Sequence, residues 1–289
     1  MNTQKQNNCR TIVSFIRPNP MLMSVGILLL LSAGSCAQAP LFTEDFYPPN
    51  GSSSQTGTTG LTTTDGLFMI NGPWTGTLGN MLLPSLAQFT TADPATQGQP
   101  PTGFLSLAIS PGSPLQGSEF TSNVLPGYGY GYYEARILVD PTQVPGGVIA
   151  FFLIQAGGTI SNRTYGPGEF DFEFLLNESW LTSNGTGAVH LTTHPSGISV
   201  SQPLSFNPSK GYHRYGLLWV PGALSFVVDG RIVRTVTNSD VVLPADGVWI
   251  FGNATSGKPS WGGGPPTNTV TGVYDYIKFY PNVTSVPKP

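Results

Sequence analysis

Acidic residues and phenylalanines alternate strictly along residues 169–174, which read Glu-Phe-Asp-Phe-Glu-Phe. The acids are Glu169, Asp171 and Glu173. Side chains alternate between the two faces of a β-strand, whereas the 3.6-residue period of a helix would mix both kinds of residue on one face. The pattern therefore predicts a strand. Its phenylalanines lie in a core, and its three carboxylates, here called the carboxylate strip, lie on the opposite face.

The carboxylate strip places like charges side by side, which destabilises a sheet. No lysine or arginine occurs between Arg163 and Gln202 to offset the repulsion locally. The Cα atoms of Glu169 and Glu173 are predicted about 13 Å apart along a strand, but their long side chains can lean together. Carboxyl groups about 5–5.5 Å apart are what a retaining glycosidase needs. We interpret the strip as functional; the alternative is a solvated strand face.

The rest of the sequence favours an all-β fold. Its 289 residues include 36 Gly and 27 Pro, and strand-like runs are separated by Gly, Pro and Asn clusters without a long amphipathic helical pattern. An antiparallel β-sandwich or barrel is predicted, with a hairpin turn at Asp229-Gly230. The predicted strands are Phe104–Ile109, Tyr128–Val139, Val148–Ile154, Glu169–Leu175, Val189–Thr193, Tyr215–Val220, Leu224–Val228, Arg231–Val236 and Val273–Tyr280.

Charge and cysteine content exclude several classes of protein. The net charge is −3 and only 9% of the residues are charged, so no basic patch is present to bind nucleic acid. The two cysteines, Cys9 and Cys36, both lie in the first 36 residues. A disulfide framework or a cysteine metal site is therefore not expected in the folded domain.

Residues 1–39 are predicted to be an export signal peptide. Three basic residues precede an apolar run from Met21 to Leu31, and small residues follow it. The run is too short for a comfortable membrane span. Cleavage after Ala37 or Ala39 fits this pattern. Residues 40–285 are then one domain and residues 286–289 a C-terminal tail.

Two modifications are compatible with export. The sequence Ala-Gly-Ser-Cys ending at Cys36 resembles a bacterial lipoprotein cleavage site, so lipidation of Cys36 is an alternative to simple secretion. Asn-X-Ser/Thr sequons are typical of surface loops in glycosylated secreted proteins. They occur at Asn50, Asn162, Asn177, Asn184, Asn253 and Asn282.

The motifs of the chain, and their order along it, resemble those of glycoside hydrolase family 16. The carboxylate strip matches the unbulged acidic motif of its lichenases and xyloglucan-acting transglycosylases. Supporting segments occur in the family's order; they are Glu119, Gly127–Arg136, Gly147–Phe152, Tyr212–Trp219, Val227–Arg231 and Tyr274–Lys278. The resemblance implies a concanavalin A-like jelly roll with a substrate cleft on its concave face.

The resemblance also implies catalytic roles. Glu169 would be the nucleophile that forms a glycosyl-enzyme, and Glu173 the general acid that later acts as the base. Asp171 would hold Glu169 through a shared proton. Crowding of three carboxylates raises at least one pKa, which suits a proton donor near neutral pH. Double displacement implies retention of anomeric configuration.

Substrate-binding residues are expected around the strip. Trp261 resembles the family's tryptophan near the scissile bond, and Asn71 and Glu119 match positions that contact sugar hydroxyls in lichenases. His190 and His194 alternate on one predicted strand face and could point into the cleft; the alternative is a structural or solvated role.

No cofactor is expected, except that Asp275 resembles a residue that helps to bind a structural calcium ion in some relatives. The chain departs from the family pattern at Gly168, at Thr121 and at Phe251-Gly252-Asn253, which we interpret as substrate-binding positions. The segment between Glu173 and Val189 is longer than in lichenases.

Together these observations predict a secreted, monomeric, retaining endo-hydrolase of β-1,3-1,4- or β-1,4-glucan. The alternatives are a transglycosylase that remodels cell-wall polysaccharide with the same residues, and a non-catalytic carbohydrate-binding protein on the same fold.

Overall fold

The computed structural model describes residues 38–75, 80–93, 103–111, 115–124, 126–159, 162–255 and 259–288. Residues Ala39–Pro289 form one compact unit. Cys9, Cys36 and the apolar run of the predicted signal lie outside the described residues. None of the helical segments that are described has the length and hydropathy needed to cross a membrane.

The described residues form twenty β-strands and three short 3-10 turns. The turns are Pro84–Leu86, Ser179–Thr182 and Ser239–Val241. The strands are β1 Phe42–Glu44, β2 Ser54–Thr56, β3 Phe68–Ile70, β4 Trp74–Thr75, β5 Met81–Leu82, β6 Ala87–Thr90, β7 Phe104–Ile109, β8 Gln116–Ser122, β9 Gly131–Val139, β10 Val148–Gln155, β11 Gly158–Thr159, β12 Asn162–Arg163, β13 Glu169–Leu175, β14 Gly187–His194, β15 Ile198–Leu204, β16 His213–Val220, β17 Ala223–Val228, β18 Arg231–Val236, β19 Val248–Thr255 and β20 Val270–Pro281.

Two large sheets pack face to face, as the predicted β-sandwich requires. The acid-bearing sheet has the order β15-β14-β13-β10-β19-β8-β5-β4, and β3 also pairs with β8. The second sheet has the order β18-β17-β16-β9-β20-β7-β6-β2, and β1 also pairs with β20. Strand pairing within the described residues is antiparallel except between β5 and β8, which run parallel. The predicted all-β sandwich is confirmed, with that one mixed edge.

Alternation along β13 divides its side chains between core and groove. Phe170, Phe172 and Phe174 are all buried and face the second sheet. The Phe170 ring lies 4.7 Å from that of Trp219 on β16, and the Phe172 ring lies 5.3 Å from that of Phe226 on β17. These phenylalanines anchor β13 to the core, so its acids must point outward from the sandwich.

The turn between β17 and β18 has the geometry that its sequence predicts. Asp229 and Gly230 have φ values of 47° and 81°, and both positive angles are required by a type I′ turn. The predicted strand at Tyr128 is shorter than expected, because β9 starts at Gly131 and Tyr128 makes only an isolated bridge to Val248.

Candidate active site

The three acids of the carboxylate strip lie together on the outer face of β13, near the middle of the acid-bearing sheet. They line a groove of about 440 Å³. Asp171 is only 4% exposed, whereas Glu169 and Glu173 are half-buried. Alternation therefore brings all three carboxyl groups to one surface, as the sequence predicts.

Burial raises the pKa of Asp171 well above its ordinary value, and the neighbouring charges of Glu169 and Glu173 raise it further. Burial also raises the pKa of Glu169, although a hydrogen bond from Asp171 and the nearby His194 act in the opposite direction. The carboxyl groups of Asp171 and Glu169 are hydrogen-bonded to each other. The larger rise favours Asp171 as the member of the pair that holds the proton, and its shared proton with Glu169 stays a prediction.

Glu173 accepts hydrogen bonds on both carboxyl oxygens. The indole Nε1 of Trp261 donates to Oε1 at 2.8 Å, and the Thr192 hydroxyl donates to Oε2 at 2.8 Å. Trp261 therefore lies against the carboxylate strip, where the family resemblance places it. The alternation of β14 predicts that Thr192 shares a strand face with His190 and His194, but nothing in the sequence assigns it a partner in the site.

The two histidines of β14 lie in different surroundings. His194 lines the groove, with its Nε2 3.7 Å from Asp171 Oδ2. His190 instead places Nε2 2.7 Å from Glu178 Oε1 and its ring edge-on to Trp261, with the ring centres 4.9 Å apart. His190 thus supports Trp261 from behind, and a direct sugar contact by either histidine stays a prediction.

Glu178 comes from the long segment after β13. Its Oε2 accepts a 2.8 Å hydrogen bond from Trp180 Nε1, while its Oε1 faces His190. The long segment after β13 therefore supplies a carboxylate that holds the His190 imidazole against Trp261.

Asn71 and Glu119 meet at the other side of the groove. Asn71 Nδ2 donates a 2.7 Å hydrogen bond to Glu119 Oε1, and the Asn71 backbone N–H donates to the Glu119 carbonyl at 2.9 Å. Both are buried, and Glu119 lines the groove. Their predicted contact with sugar hydroxyls stays a prediction, with this pairing as its structural basis.

An apolar surface covers the groove floor beyond the strip. Phe152 on β10 and Phe251 on β19 stack with their ring centres 4.9 Å apart. Phe152, Trp261 and the 37% exposed Trp74 line the groove, which gives it aromatic side chains at three places. Among the described residues that line the groove, none is a lysine or arginine.

Gly252, one of the departures from the family pattern, lies in the core and not at a substrate-binding position. A Cβ atom at Gly252 would lie 2.4 Å from the Phe120 ring and 2.8 Å from the Tyr274 ring. Gly252 faces the core, since the side chains of its neighbours Phe251 and Asn253 point toward the groove. The interpretation of Gly252 as a substrate-binding position is therefore wrong, because the core aromatic rings occupy the space.

The sequon at Asn253 also differs from the surface-loop expectation. Asn253 lies within β19 and lines the groove, so a glycan there would fill the site. Asn50, Asn177, Asn184 and Asn282 are exposed. The side chain of Asn162 lies outside the described residues.

Asp275 lies on β20 where the register with β9 shifts, and it forms an ion pair with Arg136. The Arg136 guanidinium in turn lies 4.6 Å from the centre of the Tyr212 ring. Across the described ranges, no group of three or more His, Cys, Asp or Glu side chains is arranged to hold a metal ion. A calcium site at Asp275 stays a prediction.

Residues 90–277 match the family described as Glycosyl hydrolases family 16. Xyloglucan endotransglucosylase/hydrolase protein 3 of Arabidopsis thaliana is 39% identical over 119 residues, which are 40% of this chain and 37% of that protein. A beta-glucanase of Acetivibrio thermocellus is 29% identical over 178 residues, which are 58% of this chain and 47% of that protein. The matches thus span less than half the length of these two relatives.

Solved structures share the fold across most of the chain. Bacillus licheniformis beta-glucanase has a TM-score of 0.57 and 18% identity, with 82% of this chain and 96% of that chain covered. Endo-beta-1,3-glucanase from Pyrococcus furiosus has a TM-score of 0.59 and 17% identity, with 85% and 95% covered. These similarities establish the common sandwich architecture.

Proposed function

Because the chain belongs to glycosyl hydrolases family 16, we propose that it is a retaining, endo-acting glycosidase of β-linked glucan. The observation that carries the proposal is the arrangement of β13, where Glu169 and Glu173 flank a buried Asp171 in one groove. Two carboxyl groups that flank the scissile glycosidic bond, one to attack the anomeric carbon and one to protonate the leaving oxygen, are the requirement of double displacement.

Each carboxyl group has a role that its surroundings support. Glu169 attacks the anomeric carbon and the glycosidic bond breaks, while Glu173 gives its proton to the leaving oxygen. Glu173 then takes a proton from water, whose oxygen displaces Glu169 and regenerates the enzyme. Asp171, whose raised pKa keeps it protonated, donates its hydrogen bond to Glu169 and so favours the ionised nucleophile.

The groove favours a neutral polysaccharide. Four carboxylic acids line it and its described lining residues include no lysine or arginine, so sulfate or uronate groups would meet no opposite charge. Trp74 and Trp261 offer aromatic surface to sugar rings, and the paired Asn71 and Glu119 offer polar atoms for hydroxyl groups. A β-1,3-1,4- or β-1,4-linked glucan fits this chemistry.

Transglycosylation is the second candidate, favoured by the 39% identity to a xyloglucan endotransglucosylase/hydrolase. The glycosyl-enzyme would then be intercepted by an acceptor sugar instead of water, with the same three acids. A non-catalytic binding protein is less consistent with the buried, proton-sharing Asp171–Glu169 pair, since binding alone does not require it.

The place of action follows from the N-terminal sequence. The basic residues and the apolar run from Met21 to Leu31 support export. The exported protein is then secreted, associated with the cell wall, or anchored to the cell surface by a lipid on Cys36. The exposed sequons support glycosylation in a host that performs it. A monomer that requires no cofactor completes the proposal.

Incubation with neutral and charged polysaccharides tests the activity. The β-1,3-1,4- or β-1,4-linked barley glucan, lichenan and xyloglucan are compared with the neutral β-1,3-glucan laminarin, the galactan agar and the sulfated galactan carrageenan. The products are sized by mass spectrometry with and without a labelled acceptor oligosaccharide. Oligosaccharides from neutral β-glucan are expected, and labelled products identify transglycosylation. A covalent adduct on Glu169 from a fluorosugar substrate supports double displacement, whereas glucan binding without any product contradicts the proposal.

A further inference from the structure

A line of two hydroxyl groups connects the carboxyl group of Glu173 with solvent. Thr192 Oγ1 lies 2.8 Å from Glu173 Oε2 and 3.0 Å from Ser199 Oγ. Thr192 is 4% exposed, whereas Ser199 is exposed at the groove wall. The two hydroxyl residues are register partners on β14 and β15, so the sheet itself holds them side by side.

The Thr192 hydroxyl cannot donate to both neighbours at once, because a hydroxyl group carries one proton. With Glu173 ionised, Thr192 donates to Oε2 and accepts from Ser199. With Glu173 protonated, Oε2–H donates to Thr192, and Thr192 donates to Ser199. Both arrangements use the same heavy-atom positions and differ only in which way the hydroxyl protons point.

The other oxygen of Glu173 has a different kind of partner. Trp261 Nε1–H donates to Oε1, and an indole N–H can donate but not accept. A proton on Oε1 would find no acceptor in Trp261, whereas a proton on Oε2 finds one in Thr192. The two neighbours therefore distinguish the two oxygens of one carboxyl group.

We propose that Thr192 and Ser199 form a reversible hydroxyl relay that holds the proton of Glu173 on Oε2 until substrate binds. The proton then passes from Oε2 to the glycosidic oxygen, and the Thr192 hydroxyl turns to donate to the ionised Oε2, so that Glu173 is satisfied in both protonation states. The catalytic role of the relay rests on the proposed function, since Glu173 must be an acid in the first step and a base in the second. Thr192 acts through Glu173 and is a positioning residue.

Other titratable groups also face Glu173. Asp171 and Glu169 share its strand, His190 is its register partner on β14, and His194 contacts Asp171. Glu178 lies behind His190. Substitutions at Thr192 and Ser199 leave all of these groups in place, so their charges are common to every variant compared below.

Two substrates with different leaving groups distinguish the relay from a general packing role of Thr192. Thr192→Val keeps the side-chain shape and removes the hydroxyl, while Thr192→Ser keeps the hydroxyl. On glucan, Thr192→Val is expected to lower kcat/KM about 10- to 100-fold, less than the roughly 10²- to 10⁴-fold that general acid catalysis contributes in full, because Glu173 itself is kept. On a 2,4-dinitrophenyl glycoside, whose leaving group needs no proton, we expect a loss of less than about 3-fold, and Thr192→Ser should restore glucan cleavage.

Ser199→Ala has a matched control in Ser201→Ala. Both serines are exposed on β15 and, two residues apart, share a strand face. Ser199→Ala should narrow the pH range of glucan cleavage, and Ser201→Ala should not. Equal losses by Thr192→Val on both substrates, or a raised KM with unchanged kcat and pH profile, would overturn the relay.

Neutron diffraction from crystals of the whole protein tests the relay without turnover. At a pH where Glu173 is ionised, deuterium should lie on Thr192 toward Oε2 and on Ser199 toward Thr192. At a lower pH, deuterium should lie on Oε2 and the Thr192 deuterium should point to Ser199. A Thr192 deuterium that points the same way in both states overturns the relay even if the protein cleaves glucan, and an inactive wild type overturns the proposed function alone.

Discussion

Trp261 Nε1 donates a 2.8 Å hydrogen bond to Glu173 Oε1, although 88 residues separate the two in the chain. The indole ring is in turn held edge-on by His190, which faces Glu178. The proposed acid is thus oriented by a side chain whose own position is set by a second pair of residues. This arrangement is what a proton donor requires, because the carboxyl group must meet the glycosidic oxygen in one orientation.

Trp261→Phe keeps an aromatic face and removes the indole N–H. We expect kcat on glucan to fall roughly 10- to 100-fold, because a hydrogen bond to a charged group contributes about 1.5–3 kcal/mol and each 1.36 kcal/mol is a factor of ten in rate. Thermal unfolding should change little, since the ring is only partly buried. Steady-state kinetics and calorimetry measure both quantities; an unchanged kcat would show that the N–H does not orient Glu173.

Glu169→Gln and Glu173→Gln test the two principal roles. Each is expected to lower kcat by at least about 10³-fold, because a nucleophile or a proton donor is removed while the shape is kept. The unfolding temperature should be unchanged or raised, since one charge leaves a crowded strip. Asp246→Asn, at an exposed carboxylate outside the groove lining, is the matched control and should retain wild-type kinetics. Near-normal turnover by both Gln variants would contradict the proposed chemistry.

Gly252→Ala and Gly168→Ala form a matched pair for the core. A Cβ at Gly252 meets the Phe120 ring at 2.4 Å, whereas a Cβ at Gly168 has its nearest neighbour, Gln155, at 3.7 Å. Overpacking should therefore destabilise Gly252→Ala by about 1–3 kcal/mol, while Gly168→Ala should unfold like the wild type. Urea denaturation gives both values. Similar stabilities for the two variants would show that the Phe120 ring moves aside without cost.

Glu44 gives the stability of the fold a pH dependence. Burial, with Asp65 nearby, raises the pKa of Glu44 to about 8. A carboxyl group with a raised pKa in the folded state favours folding only while it is protonated. The contribution of Glu44 to the free energy of unfolding is therefore complete below the unfolded pKa of about 4.3 and is lost as the pH rises to about 8. The loss is at most roughly 3–5 kcal/mol, from 1.36 kcal/mol per pKa unit.

Glu44→Gln removes this titration but keeps an oxygen to accept the Phe46 N–H, which lies 2.8 Å from Glu44 Oε1. The variant should be more stable than the wild type at pH 8 and similar to it at pH 5. Urea denaturation at several pH values measures the difference. Parallel stability profiles for the two proteins would place the pH dependence elsewhere.

Short-range periodicity predicted much of this fold. The alternation along residues 169–174 predicted both the bounds of β13 and the face that each of its side chains occupies, because a strand places successive residues on opposite sides. Asp229-Gly230 likewise predicted its turn, since both residues tolerate positive φ. The same rule, applied to β19, would have placed Gly252 in the core and Asn253 in the groove.

The sequence by itself determined nine of the strands, which acids share a face and which family the motifs resemble, because each depends on local period or on residue order. Only the tertiary structure decided the partners of those acids. Thr192, Ser199 and Trp261 reach Glu173 through strand register and through the path of the segment before β20, and neither is encoded by spacing along the chain. The raised pKa of Asp171 likewise depends on burial and on neighbouring carboxylates, which come together only after the two sheets have packed.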